Sequence, residues 1–170
     1  MIIRQETPKD YDAVYTVVKT AFERAEHSDG NEQELVNALR KSSSYIPELS
    51  LVAEIDGKVV GYIMFTKVHI EQNVALALAP LAVLPEYQKQ GIGKELIKEG
   101  HKRAAKLGYG YSVVLGSETY YPQMGYLPAK QFHITPPFDV PAPNYMVYQL
   151  NKNSNKVKGT VIYAKEFGIN

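Results

Sequence analysis

The 170-residue chain contains no cysteine. That absence excludes disulfides, thiolate metal sites and a cysteine nucleophile together. A charge excess of either sign is also missing. Nineteen Lys and Arg against eighteen Asp and Glu leave a formal charge of +1, which argues against a general binder of nucleic acid or anionic membrane, local basic patches aside. Long apolar runs are missing as well. Val74 to Pro85 is the longest nearly unbroken one, far short of the ~20 residues that a membrane-spanning helix needs. The start, Met1-Ile2-Ile3-Arg4-Gln5-Glu6, lacks the charged-then-apolar layout of a secretion signal. A cytoplasmic location is therefore expected.

What is present suits one domain over residues 1–170, since domains commonly run to about 100–200 residues. Hydrophobic residues at 45% and charged ones at 22% are ordinary for a globular protein. At 19.0 kDa the chain should bury roughly 70% of the surface its unfolded form exposes.

Met1 to Gln5 reads as a short first strand. Thr7, Pro8 and Asp10 then carry the signals of a helix start. Tyr11, Val14, Tyr15, Val18 and Phe22 recur at helical spacing and predict one buried face. After the polar break at His27-Ser28-Asp29-Gly30, Leu35, Val36 and Leu39 predict a second helix. Leu49–Ile55 and Val59–Val68 read as strands joined at Asp56-Gly57, a strong two-residue hairpin signal. Val74–Leu84 predicts a strand buried on both faces, with pairing interrupted at Pro80. A helix over Gly91–Leu107 and a strand over Tyr111–Leu115 complete a βαβ unit, whose two strands should form the only parallel pair. After residue 127 the texture changes, with Pro128, Pro136, Pro137, Pro141 and Pro143 close together. Tyr145–Leu150 and Thr160–Tyr163 predict late strands in a C-terminal extension over 128–170, either continuing the sheet or lying over it.

The segment Leu81-Ala82-Val83-Leu84-Pro85-Glu86-Tyr87-Gln88-Lys89-Gln90-Gly91-Ile92-Gly93-Lys94 is the most informative. A buried strand enters a glycine-punctuated turn that opens into a helix. The first N–H groups of such a helix lack intrahelical partners and carry the positive end of its dipole. Glycines at 91 and 93 permit close approach of a phosphate or pyrophosphate, with Lys89 and Lys94 adding charge at the rim. A dinucleotide fingerprint would need glycine where Leu96 stands. A P-loop would need Ser or Thr where Glu95 follows Lys94, and neither motif fits. Taken alone, Gly-x-Gly is equally compatible with a tight turn of purely structural purpose.

Gln88-x-x-Gly91-x-Gly93, with its Leu-Ala-Val-Leu-Pro-Glu-Tyr-Gln lead-in, resembles the signature of the GNAT acyltransferase superfamily. The likeness extends to Ile3-Arg4, the Asp56-Gly57 hairpin with Val60-Gly61, and Tyr121-Pro122-Gln123-Met124-Gly125-Tyr126. The Leu-Gly-Ser segment, the double tyrosine and the Pro-rich tail look like the bacterial YhbS-related subgroup. The resemblance implies a mixed α/β fold, with helices on both faces of a mostly antiparallel sheet splayed at one parallel pair. It implies an N-acetyltransferase using acetyl-CoA, without a metal, and a primary amine as acceptor. Residues Gln88, Lys89, Gln90, Gly91, Ile92, Gly93 and Lys94 would hold the pyrophosphate, and the backbone of Leu81, Ala82 and Val83 would pair with the pantetheine arm. Tyr121 matches the tyrosine that many relatives use to protonate the departing thiolate, and Tyr120 is its nearest alternative. Glu71, His69, Glu23 and Glu26 are candidate bases by position only, each with a plain reading as a solvated side chain. His27, His101 and His133 show no zinc-ligand spacing. A CoA-binding module without turnover is the competing class. Homodimerisation is left open, and the acceptor is not legible.

Overall fold

In a computed structural model, which describes residues 1–25 and 28–169, β1 (Ile2–Gln5) opens the chain and pairs with β2 (Tyr45–Ile55). Thr7 leads not into an α-helix directly but into a short 3-10 turn, Pro8–Asp10. The Asp10 carboxylate accepts the Thr7 N–H at 2.7 Å and so closes that turn. Helix α1 (Tyr11–Phe22) follows, with Val14, Val17 and Val18 as its buried stripe. The stripe is narrower than the spacing predicted, because two of its tyrosines serve α2 (Glu32–Arg40) instead. The Tyr15 hydroxyl donates to Glu34, and the Arg40 guanidinium stacks 3.9 Å from the Tyr11 ring.

Strand β3 (Lys58–Ile70) meets β2 through Asp56 and Gly57, whose φ values of 50° and 80° give the two left-handed residues of the expected hairpin. Between β3 and β4 (Asn73–Val83), Ile63 faces Leu81 while Phe65 faces Leu78. Three steps on β4 against two on β3 make a bulge at Ala79-Pro80, the interruption that Pro80 predicts. Helix α3 (Ile92–Lys106) then crosses to β5 (Tyr111–Leu115). β5 runs parallel to β4 but pairs with it only at Leu76–Ser112 and Ala77–Val113. Beyond those residues the two strands part.

The remaining strands are β6 (Leu127–Pro128), β7 (Ile134–Thr135), β8 (Tyr145–Gln149) and β9 (Gly159–Ile162). The main order is β1-β2-β3-β4-β5-β8-β6. The tail therefore does both things expected of it: β8 extends the sheet, while β9 turns back to pair with the end of β3. One expectation needs correction. β7 and β9 form a second, two-residue parallel pair, so β4–β5 is not the only one. A tail that returns across the sheet meets its own earlier segment in whichever direction the loop leaves it.

Alternation along β3 assigns the faces. Gly61 lies under α3, where an added Cβ would stand 3.1 Å from Leu96 and 3.2 Å from Ile92. Gly100 does the same from the helix side, since a Cβ there would collide with the Phe65 ring. These two glycines let α3 settle close to the sheet. Tyr62 points the other way, toward Glu6 and the α1–α2 side. A second apolar cluster, including Val68, Ala75, Val113, Tyr145, Val147 and Val161, lies between the sheet and the tail. No described helix is long and apolar enough to cross a membrane.

Candidate functional site

The loop after β4 is folded by its own glutamines. Gln88 Nε2 donates to the Val83 carbonyl at 3.0 Å, and Gln90 Nε2 donates to the Glu86 carbonyl at 3.3 Å. Lys89 and Gly91 both adopt left-handed backbone, with φ of 63° and 86°. Gly91 therefore stands outside the helix as its N-cap, and α3 begins one residue later than predicted. The first intrahelical donor at this end is the Glu95 N–H, bound to the Gly91 carbonyl at 3.1 Å. Among the described residues, the main-chain N–H groups of residues 89 to 94 have no acceptor. Six consecutive free donors at the positive end of a helix dipole are an arrangement suited to an anion.

These donors open onto a cleft of about 410 Å³. Of the residues predicted to bind the cofactor, Leu81, Val83, Gln88, Lys89, Gly91, Ile92, Gly93 and Lys94 line it. Ala82 is buried and shares the opposite face with Tyr62. The side chain of Gln90 is turned back onto Glu86. The Gln88 N–H is spent on the Pro85 carbonyl, so this residue shapes the loop with both backbone and side chain. Lys94 bonds Gln123 Oε1 at 2.7 Å, tying the helix start to the segment after β5.

That segment carries the two tyrosines. Tyr121 begins a 3-10 turn, Tyr121–Met124, that Gly125 ends with φ of 94°. Its ring packs over Gly116, where a Cβ would lie 2.5 Å from Cε2. It also stands edge-on to Tyr120 and Tyr126, with centroids 5.2 and 5.7 Å away. Asn144 clamps the same loop: its Nδ2 donates to the Gly116 carbonyl at 3.1 Å and to Glu118 at 2.7 Å, while its carbonyl accepts the Gly116 N–H at 2.9 Å. Burial pushes the Tyr121 phenol above its ordinary range, which keeps it protonated. Tyr120, not Tyr121, forms part of the cleft wall.

Behind the cleft lies a buried chain of polar groups that the spacing of the sequence did not suggest. Ser112 Oγ and Tyr126 OH are 3.0 Å apart, as are Tyr126 OH and His101 Nε2. The His101 ring stacks on Tyr148 at 4.0 Å. The chain joins α3 to β5 and β8, fixing the helix against the strand that diverges from β4. Burial lowers His101 to about 4 and leaves it neutral.

Among the described residues, none of the candidate bases lines the cleft. Glu71 turns the β3–β4 hairpin beside Gly159, and His69 lies opposite Ile162 where β9 joins. Both are at the end of β4 away from Leu81–Val83. Glu23 is exposed just past α1. Glu26 and His27 lie outside the described residues.

A mostly antiparallel sheet that opens at one parallel pair, with a glycine-bounded helix start at the mouth of the opening, is the GNAT acyltransferase fold. Residues 11–126 match the model of the acetyltransferase (GNAT) family, and the chain belongs to that family. It is 32% identical to the uncharacterized N-acetyltransferase YhbS of Escherichia coli K12, over 98% of each chain. It is 42% identical to the uncharacterized N-acetyltransferase YjhQ of the same organism, over 101 residues that span 57% of this chain and 56% of YjhQ. Among solved structures, E. coli YhbS in complex with CoA superposes with a TM-score of 0.89 at 29% identity, covering 98% of this chain and 91% of that one. A GNAT family acetyltransferase from Brucella melitensis in complex with acetyl-CoA gives 0.81 at 31% identity, covering 98% and 97%. The likeness to the YhbS-related subgroup read from the sequence is thus matched at both levels.

Proposed function

We propose that the chain transfers the acetyl group of acetyl-CoA directly to a primary amine of a small-molecule or peptide acceptor. The observation that carries this reading is the row of six free N–H groups at residues 89–94, set at the mouth of the β4–β5 opening. Relatives of this chain have been crystallised with CoA and acetyl-CoA. When bound, acetyl-CoA supplies an acetyl group already activated as a thioester. The free N–H groups, with Lys89 at the rim, neutralise the pyrophosphate. The backbone of Leu81 to Val83 offers the pantetheine a strand edge where β5 has turned away. Tyr121, held by Gly116 and the Asn144 clamp, donates the proton that the departing thiolate requires. Its neutral phenol suits that task. The acceptor amine loses its proton to solvent or to a group on the acceptor side.

Calorimetry with CoA, followed by CoA release measured across a panel of amines, tests the reading. Micromolar-range binding and release with at least one amine class are the expected results. Gly91→Val forces a β-branched residue into a left-handed position, and should weaken CoA binding at least ~10-fold, since each lost charge-assisted bond costs about 1.5–3 kcal/mol, while the fold survives. Binding without release across the whole panel would identify a CoA-binding module instead. No binding would remove the reading.

A further inference from the structure

Tyr120 is a wall of the cleft that the glycine motif does not explain. Its hydroxyl stands 2.5 Å from the point that a Cβ on Gly93 would occupy, and its Cζ stands 3.7 Å away. Gly93, unlike Gly91, has no left-handed φ, so its backbone would accept any residue. A Cβ there would displace the Tyr120 hydroxyl from its seat. Leu81 Cδ2 lies 3.6 Å from the same point, so strand, helix start and phenol converge on it. The phenol is half-buried, and burial alone raises its pKa, with no hydrogen bond contributing. With no protein partner among the described residues, the hydroxyl of this cleft-lining side chain is available to a ligand.

We infer that Tyr120 is a cofactor-contacting residue whose hydroxyl, seated over Gly93, donates a hydrogen bond to the pyrophosphate of CoA beside the free N–H groups of α3. The assignment rests on the acetyl-CoA reading above. It divides the labour between neighbours: Tyr120 holds the cofactor and Tyr121 protonates the leaving group. The second glycine of Gln88-x-x-Gly91-x-Gly93 then serves the tyrosine rather than the anion directly.

The test uses Tyr120→Phe and Gly93→Ala, singly and together. Calorimetry with CoA, and with ADP as a probe that has the pyrophosphate but no pantetheine, should show Tyr120→Phe weakening both about tenfold, as for a hydrogen bond to a charged group. Unchanged affinity for CoA overturns the proposal. A loss seen with CoA but not with ADP moves the contact to the pantetheine and overturns the assignment as stated. A fall in kcat at unchanged affinity makes Tyr120 the proton donor and overturns it too. In ligand-free protein, Gly93→Ala should lower Tm by about 3 °C, a small shift for a chain of this size. In the Tyr120→Phe background, where only the ring carbon at 3.7 Å remains, most of that loss should vanish. An equal loss in both backgrounds overturns the seat. Wild-type protein that binds neither probe removes the acetyl-CoA reading itself, and the ligand-free coupling distinguishes that failure from this one.

Discussion

Tyr121 and Tyr120 are adjacent in sequence yet meet different surroundings, because a 3-10 turn begins between them. Tyr121 lies against Gly116 and Tyr126, whereas Tyr120 reaches across to α3. The separation makes the proton-donor role testable on its own. Tyr121→Phe keeps the ring and its edge-on contacts, so stability and CoA affinity should stay close to wild type. The turnover number should fall about 10²–10⁴-fold, the usual contribution of a positioned general acid. The loss belongs in kcat rather than KM, because the proton is needed only as the C–S bond breaks. Steady-state kinetics with any accepted amine would check this, and wild-type turnover would remove Tyr121 from the mechanism.

At the scale of an element, one buried carboxylate ties the end of α2 to the sheet. Glu6 receives Arg40 Nε at 3.0 Å and Nη2 at 2.7 Å, together with the hydroxyls of Tyr45 at 2.9 Å and Ser50 at 2.6 Å. Only 7% of the Arg40 side chain and 1% of that of Glu6 are exposed. Removing one partner of such a pair leaves the other charge buried alone, at a cost of about 3–5 kcal/mol. Arg40→Ala should therefore shift the urea midpoint strongly. The double variant Glu6→Gln/Arg40→Met should recover much of that loss, since neither residual side chain is charged and Tyr45 and Ser50 keep an acceptor. A double variant no more stable than Arg40→Ala would show that packing, not the stranded carboxylate, dominates.

The whole molecule should respond to acid in two stages. His101 is held at about 4 in the fold by burial, below the ordinary ~6.5. Between those values the unfolded chain takes up a proton that the fold refuses. This contribution is complete above about pH 6.5 and is lost as the pH falls toward 4, by up to ~3 kcal/mol. Asp10 behaves differently. Its hydrogen bonds from Arg4 hold it at about 2, so its contribution persists until the pH falls below the usual carboxylate range. Denaturant midpoints at pH 7.5 and pH 5 should differ markedly for wild type and much less for His101→Gln. An unchanged pH dependence in that variant would assign the first stage to another group.

Local chemistry made much of this protein legible in advance. Asp56-Gly57 signalled a tight hairpin, because both residue types tolerate the left-handed backbone that a two-residue turn between strands needs. The strand over Tyr111–Leu115 and the glycine-bounded start of α3 were readable for the same reason: their signals lie within a few residues of the feature they determine. Pro80 announced its bulge because a missing N–H cannot pair in any fold. Long-range closure was not readable. Nothing near Tyr145 specifies that β8 inserts between β5 and β6, and nothing near Thr160 specifies β9's pairing with the end of β3. The polar chain from Ser112 through Tyr126 to His101 joins a strand, a loop and a helix, each unremarkable alone. Gly93 marks the boundary most clearly. The sequence by itself determined that a glycine stands in the first turn of α3, but only the tertiary structure, by bringing Tyr120 across from beyond β5, decided what that glycine makes room for.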